Sequence, residues 1–189
     1  ELIKLAVDAV PNTGPFAEGI RDVIRWHEQH DDWRITRQLI HDKYWAYKST
    51  ELEAPVSIVS SLNNGLTGIM ALLYGEGEYT KTVGIATSAG YDSDNQAATL
   101  GGLIGTMRGM TGLNADVVTR MKTLDSSWEW EEPFNDTYVN ISRDEIALRT
   151  PITEIAARIV VIAEQAIRDN GGRMIHKNGE IYYVINSDI

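Results

Sequence analysis

From Val56 to Leu73, apolar side chains recur every three or four residues: Val56, Val59, Leu62, Leu66, Ile69, Met70 and Leu73. That spacing follows the 3.6-residue turn of an α-helix and not the alternation of a strand. A stripe of this kind has to be buried against something, and the flanking sequence supplies more helices. Leu2, Ile3, Leu5, Ala6 and Val10 fit a helix stopped by Pro11 and the turn up to Pro15. Pro15 suits the first turn of a second helix, with Ile20, Val23, Ile24 and His27 on one face. Asp31 or Asp32 can cap a third, carrying Trp33, Thr36, Leu39, Ile40 and Tyr44. Pro55 restarts the pattern, and Gly75 is the expected C-cap of the long stripe.

Tyr79 to Ser88 reads as a shorter helix, Gly90 to Asn95 as a tight polar turn, and Asn95 to Gly109 as helix again. In that last helix Gly101, Gly105 and Gly109 recur every four residues. A glycine costs roughly 1 kcal/mol against alanine inside a helix, so a face of three predicts close approach of another backbone. Asn114 can cap a short helix through Val117, Val118 and Met121. Leu124 to Thr150 has no period and reads as an ordered excursion over the surface, with Trp128 and Trp130 anchoring it or rimming a pocket. Thr150-Pro151 opens a final helix through Ile167, ended by Gly171-Gly172, and Arg173 to Ile185 alternates around Asn178-Gly179 as a hairpin. The fold class is therefore all-α with a small C-terminal β-hairpin. Residues 1–170 form the helical part and 171–189 the hairpin extension.

The net charge of −10 leaves no basic face with which to displace phosphate counterions or hold an anionic bilayer, so neither nucleic acid nor membrane is expected as a partner. The absence of cysteine removes disulfides, thiolate metal sites and thiol nucleophiles. No apolar run approaches a membrane span and no signal sequence is present; the compartment stays open, with the cytoplasm favoured. Glu1 already lies in helical sequence, so the start reads as a cut with sequence missing before it.

The chemistry concentrates in Gly90-Tyr91-Asp92-Ser93-Asp94-Asn95. Carboxylates two residues apart, with hydroxyl and amide neighbours on short stems, are hard oxygen donors suited to Mg²⁺, Mn²⁺ or Ca²⁺. The same residues also serve as ordinary caps, with Asp94 or Ser93 as N-cap and Asp92 in the turn. An EF-hand loop needs Gly at 97, where this chain has Ala97. The Asp-x-Asp of nucleotide-sugar transferases follows a strand, whereas the flanks here are helical.

Gly90 to Gly109 reads GYDSDNQAATLGGLIGTMRG. It resembles the C-terminal signature of the ADP-ribosylglycohydrolase family, roughly G-x-D-[TS]-D-x3-A-x3-G-x3-G-x3-G. The segments SLNNGLTGIMALLYGEGEYTKTVGIATSAG, AVPNTGPFAEGIRDVIRWH, WEEPFNDTYVN and TPITEIAAR are similar to other parts of that family, so the likeness runs from residue 1 to about 165. It implies an orthogonal helical bundle with a binuclear Mg²⁺ or Mn²⁺ centre that cleaves a glycosidic bond to ADP-ribose in a small molecule or a modified protein. Carried over residue by residue, Asp92 and Asp94 are metal ligands. Asn95 stands where the family has a hydroxyl ligand, and Ser93 where it has Thr or Ser. Gly90 and the start of the following helix offer amides to a pyrophosphate. Tyr91, where the family often has Gly or Trp, either stacks on a base or packs. Asn63 and Asn64, amides inside an apolar stripe, either line the pocket or satisfy the backbone.

The family's other metal motif, of Thr-Asp-Asp type, is not found in residues 1–189. The second half of the ligands and the acid/base carboxylate are therefore expected upstream of residue 1, cleaved away or supplied by a separate chain. Two alternatives remain: a glycoside hydrolase of different substrate on the same fold, or a binding module that lost the centre. His27-Glu28-Gln29-His30 misses the zinc-protease spacing by one residue, and His41 and His176 read as structural or exposed. The Asn135 and Asn140 sequons and Gly75-Glu76-Gly77 carry no argument.

Overall fold

The computed structural model describes residues 2–8, 11, 13–47, 57–109, 112–113, 137–140 and 147–186. The chain divides into two compact units, Glu1–Thr119 and Arg120–Ile189. The first holds α1 (Leu2–Asp8), α2 (Pro15–Gln29), α3 (Trp33–Tyr44), α4 (Ser61–Gly75), α5 (Tyr79–Ser88) and α6 (Ser93–Arg108). The second holds β1 (Tyr138–Val139), β2 (Arg149–Thr150), α7 (Ile152–Asp169), β3 (Arg173–Lys177) and β4 (Glu180–Val184). The protein is mostly helical with small antiparallel β elements, as the periodicities require.

In the first unit α4 is the hub. It packs against α2, α3, α5 and α6, and its buried residues include Asn63, Asn64, Leu66, Thr67, Met70, Ala71 and Tyr74. Leu66 and Met70 meet Val23 and Ile20 of α2, Ile40 and Tyr44 of α3, Ile85 of α5 and Leu100 of α6 in one core. Pro15 opens α2, and the Asp32 carboxylate accepts the Arg34 amide at 3.0 Å to cap α3. Small residues set the helix spacing. A Cβ on Gly19 would come within 2.6 Å of Leu66.

The stripe begins later than its periodicity suggests. Helix α4 starts at Ser61, and Val59 is exposed in a turn whose amide donates to the Ser57 hydroxyl at 3.2 Å. That serine competes with helix for the local backbone. At the other end Gly75 is the last helical residue, and the left-handed cap is Glu76 (φ 54). Gly75 is required instead by packing, because a Cβ there would overlap the Thr82 side chain and lie 2.8 Å from its Cα. Gly75→Ala is expected to cost about 1–3 kcal/mol by overpacking. Urea unfolding would register it as a lower midpoint with an unchanged slope.

The glycine face of α6 is also not what its spacing implies. Gly101 sits 3.3 Å, measured from an added Cβ, from the Tyr79 hydroxyl and close to Val83, but Gly105 has open space and Gly109 (φ 64) ends the helix. Side chains of α5, and not a backbone, meet the one packed position. The expected polar turn is shorter too, since α6 starts at Ser93 and takes in Asp94 and Asn95.

In the second unit, Asn178 (φ 55) and Gly179 (φ 81) form the left-handed pair of the β3–β4 hairpin, in the register Lys177↔Glu180. The β1–β2 ladder falls in the stretch that lacks a sequence period. The expected helix near Asn114 and Trp128 and Trp130 lie outside the described residues. Among the described residues no helix is long and apolar enough to cross a membrane.

Candidate functional site

The turn between α5 and α6 is built on two consecutive left-handed residues, Gly90 (φ 82) and Tyr91 (φ 60). Glycine takes this conformation at little cost, whereas tyrosine requires compensation. The reversal puts Asp92 at the N-cap of α6, where its carbonyl accepts the Gln96 amide at 3.1 Å. Asp94 falls in the first helical turn beside it.

The Asp92 carboxylate makes no cap hydrogen bond. An aspartate capping through its side chain would accept an amide from the first turn, and this one does not. Partial burial, and then the Asp94 carboxyl within hydrogen-bonding reach, raise the Asp92 pKa above its ordinary value. Two like charges at one helix start repel, and a cation between them would relieve that repulsion. Asp94 and Asn95 are exposed and Asp92 and Ser93 partly so. The Asn95 amide oxygen has the Thr99 hydroxyl at 3.5 Å, a marginal contact that leaves the oxygen free to bind.

Asn64 ties this turn to the core. Its Oδ1 accepts the Asp92 amide at 3.0 Å, while its Nδ2 donates to the carbonyls of Ile58 and Ser60 at 2.8 and 2.9 Å. Asn63, the preceding residue, is buried with Nδ2 donating to the Tyr44 carbonyl at 3.2 Å and to Ser60 Oγ at 3.3 Å. The structure thus brings Gly90, Tyr91, Asp92, Ser93, Asp94, Asn95 and Asn64 together. It places Asn63 beside the Tyr44 end of α3.

A family model described as ADP-ribosylglycohydrolase matches residues 1–155. The chain belongs to the ADP-ribosylglycohydrolase family. No curated protein and no solved structure matches it. Side chains of α3 and the residue that follows it surround Tyr91. Its hydroxyl lies 2.7 Å from His41 Nδ1, and its ring stacks on His41 and on Trp45, with centroids 6.1 and 5.4 Å away. The Arg37 guanidinium sits 4.7 Å from the ring centroid, and its Nε donates to the Ala89 carbonyl at 3.1 Å. Burial pushes the tyrosine hydroxyl pKa up, against the pull of Arg37.

Sequence reasoning gave Tyr91 as a base-stacking or packing residue and gave His41 no partner. The structure pairs them, with the tyrosine face taken up by protein. The signal was the spacing Arg37, His41, Trp45, which lines one face of α3 at intervals of four. His27 packs edge-on against Tyr74 at 4.6 Å, and the His30 carbonyl accepts the Tyr74 hydroxyl at 2.6 Å. The His27 ring of the near-miss zinc motif is therefore packed in the fold, and His30 contributes its backbone carbonyl.

Among the described residues no group of three or more His, Asp or Glu side chains stands ready to hold a metal ion. Asp92 and Asp94 are hard, accessible donors that fit a divalent cation. Mg²⁺ requires six oxygens, so these carboxylates would form one side of a shell completed by other groups or water.

Proposed function

We propose that this ADP-ribosylglycohydrolase-family chain carries the Asp92–Asp94 half of a divalent-metal centre, in a hydrolase that cleaves a glycosidic bond to ADP-ribose or a related ribosyl compound. The observation that carries this is the Asp92 carboxylate at a helix start, left out of the cap and beside a second carboxylate, on a residue whose backbone N–H is held by Asn64. Mg²⁺ or Mn²⁺ would be held by Asp92 and Asp94, with the Asn95 amide oxygen in the place of the family's hydroxyl. Bound there, the metal would supply Lewis-acid grip on ribose hydroxyls. The chain's own part is to fix those oxygens and to present the amides at the start of α6, whose partial positive charge suits an anionic substrate.

Asn95 favours a second reading, a glycoside hydrolase of different substrate on the same fold, because an amide stands where the family has a hydroxyl. Full-length protein supplied with Mn²⁺ or Mg²⁺ is expected to release ADP-ribose from ADP-ribosylated protein and to stop when the metal is chelated. A plain ribosyl substrate in parallel separates the readings. Metal-independent release sinks the metal-centre assignment, and no release of either product sinks the hydrolase assignment.

A further inference from the structure

A tyrosine in the left-handed region immediately before a ligand-bearing aspartate needs something to hold it there, and α3 supplies it. Arg37 reaches both ends of the turn: its Nε bonds the Ala89 carbonyl before it, and its guanidinium covers the Tyr91 ring. His41 meets the Tyr91 hydroxyl at 2.7 Å, and the rings of His41 and Trp45 are themselves stacked at 5.3 Å. On the opposite side, from α4, the buried Asn64 amide takes the Asp92 N–H. The turn is gripped from two helices, through groups that are not metal ligands.

We propose that Arg37 and His41 are positioning residues of the Asp92–Asp94 site. With Trp45 they clamp Tyr91, and beside Gly90 the clamp keeps the turn in the conformation that aims the Asp92 carboxylate. The metal part of this inference rests on the proposed function; the clamp itself does not. Groups that orient metal ligands typically change affinity by about 10–100-fold when removed.

The test uses the full chain and two readouts. The first is hydrogen exchange of the Asp92 amide in metal-free protein, and the second is Mn²⁺ affinity by titration. Tyr91→Gly keeps the left-handed backbone available and deletes the clamp, and Arg37→Met deletes the cation and its bond to Ala89. Both are expected to speed Asp92 exchange by about tenfold or more and to weaken Mn²⁺ binding by about tenfold. Tyr91→Phe keeps the stack and loses only the bond to His41, so both readouts should fall between wild type and Tyr91→Gly, which also guards against a variant that fails to fold. A Tyr91→Phe variant identical to wild type removes His41 from the clamp. Wild-type exchange and affinity in Tyr91→Gly and Arg37→Met overturn the proposal. If exchange accelerates while Asp92→Ala binds Mn²⁺ as wild type does, the clamp stands and the metal reading falls.

Discussion

Asp92→Ala is expected to weaken Mg²⁺ or Mn²⁺ binding by at least about 100-fold, more than the loss of any group that merely orients a ligand. The carboxylate supplies charge and oxygen together, and the alanine supplies neither. Asp92→Asn separates these. It keeps an oxygen and the shape of the N-cap but removes the charge, so affinity should fall while the helix start survives. The native Asp92 pKa is raised, first by desolvation and then by Asp94. The folded protein thus holds that proton more tightly than the unfolded chain, and stability rises as pH falls through the raised value. At neutral pH the ionised carboxylate works against the metal-free fold. Asp92→Asn should therefore melt no lower than wild type while binding metal worse, a pattern that a purely structural aspartate would not give. Calorimetric titration and thermal melts on the same samples decide it. Unchanged Mn²⁺ affinity in Asp92→Ala ends the site assignment.

The helices were legible because apolar period and breakers agree at most boundaries: Pro15, Asp32, Pro151 and Asn178-Gly179 each act where their chemistry says they should. Where boundaries moved, a local side chain outweighed the period, as Ser57 does for Val59. The glycine spacing in α6 failed for another reason. Spacing names a face but not what lies against it, and among the described residues only Gly101 of the three has a neighbour there. The acidic turn was legible as a pair of hard donors, and the amides of Asn63 and Asn64 as groups needing partners inside an apolar stripe. That Asn64 spends its oxygen on the Asp92 amide required the tertiary fold. So did the meeting of His41 and Tyr91, fifty positions apart in the chain, since no local pattern marks a tyrosine as left-handed.

Asp22 gave no sequence signal at all, yet its loss should be a heavy blow to the fold of the first unit. It is buried on α2, and its carboxylate accepts from Tyr44 Oη at 2.7 Å, Lys43 Nζ at 2.6 Å and Arg25 Nη2 at 2.5 Å. Burial pushes its pKa up, but the bonds from Lys43, Tyr44 and Arg25 prevail and hold it below the ordinary 3.8. Asp22→Ala leaves the buried Tyr44 hydroxyl without its acceptor. Lys43 and Arg25 reach solvent and can rehydrate, so the cost should be about 2–3 kcal/mol, toward the lower end for a broken buried pair. Asp22→Asn can still accept from Tyr44 and should cost less. The sign with pH follows from linkage. A carboxyl with a depressed native pKa contributes its full stability above the unfolded value of 3.8 and loses it as pH falls through the native value. Lys43, raised mainly by its bond to Asp22, contributes below its ordinary 10.5 and loses that contribution as pH climbs through its native value. The gap between wild type and Asp22→Asn in urea unfolding should therefore be widest across neutral pH and close below about pH 4. A gap that stays constant from pH 7 to pH 3 would mean that the Asp22 charge contributes nothing and that shape alone holds α2 against α3.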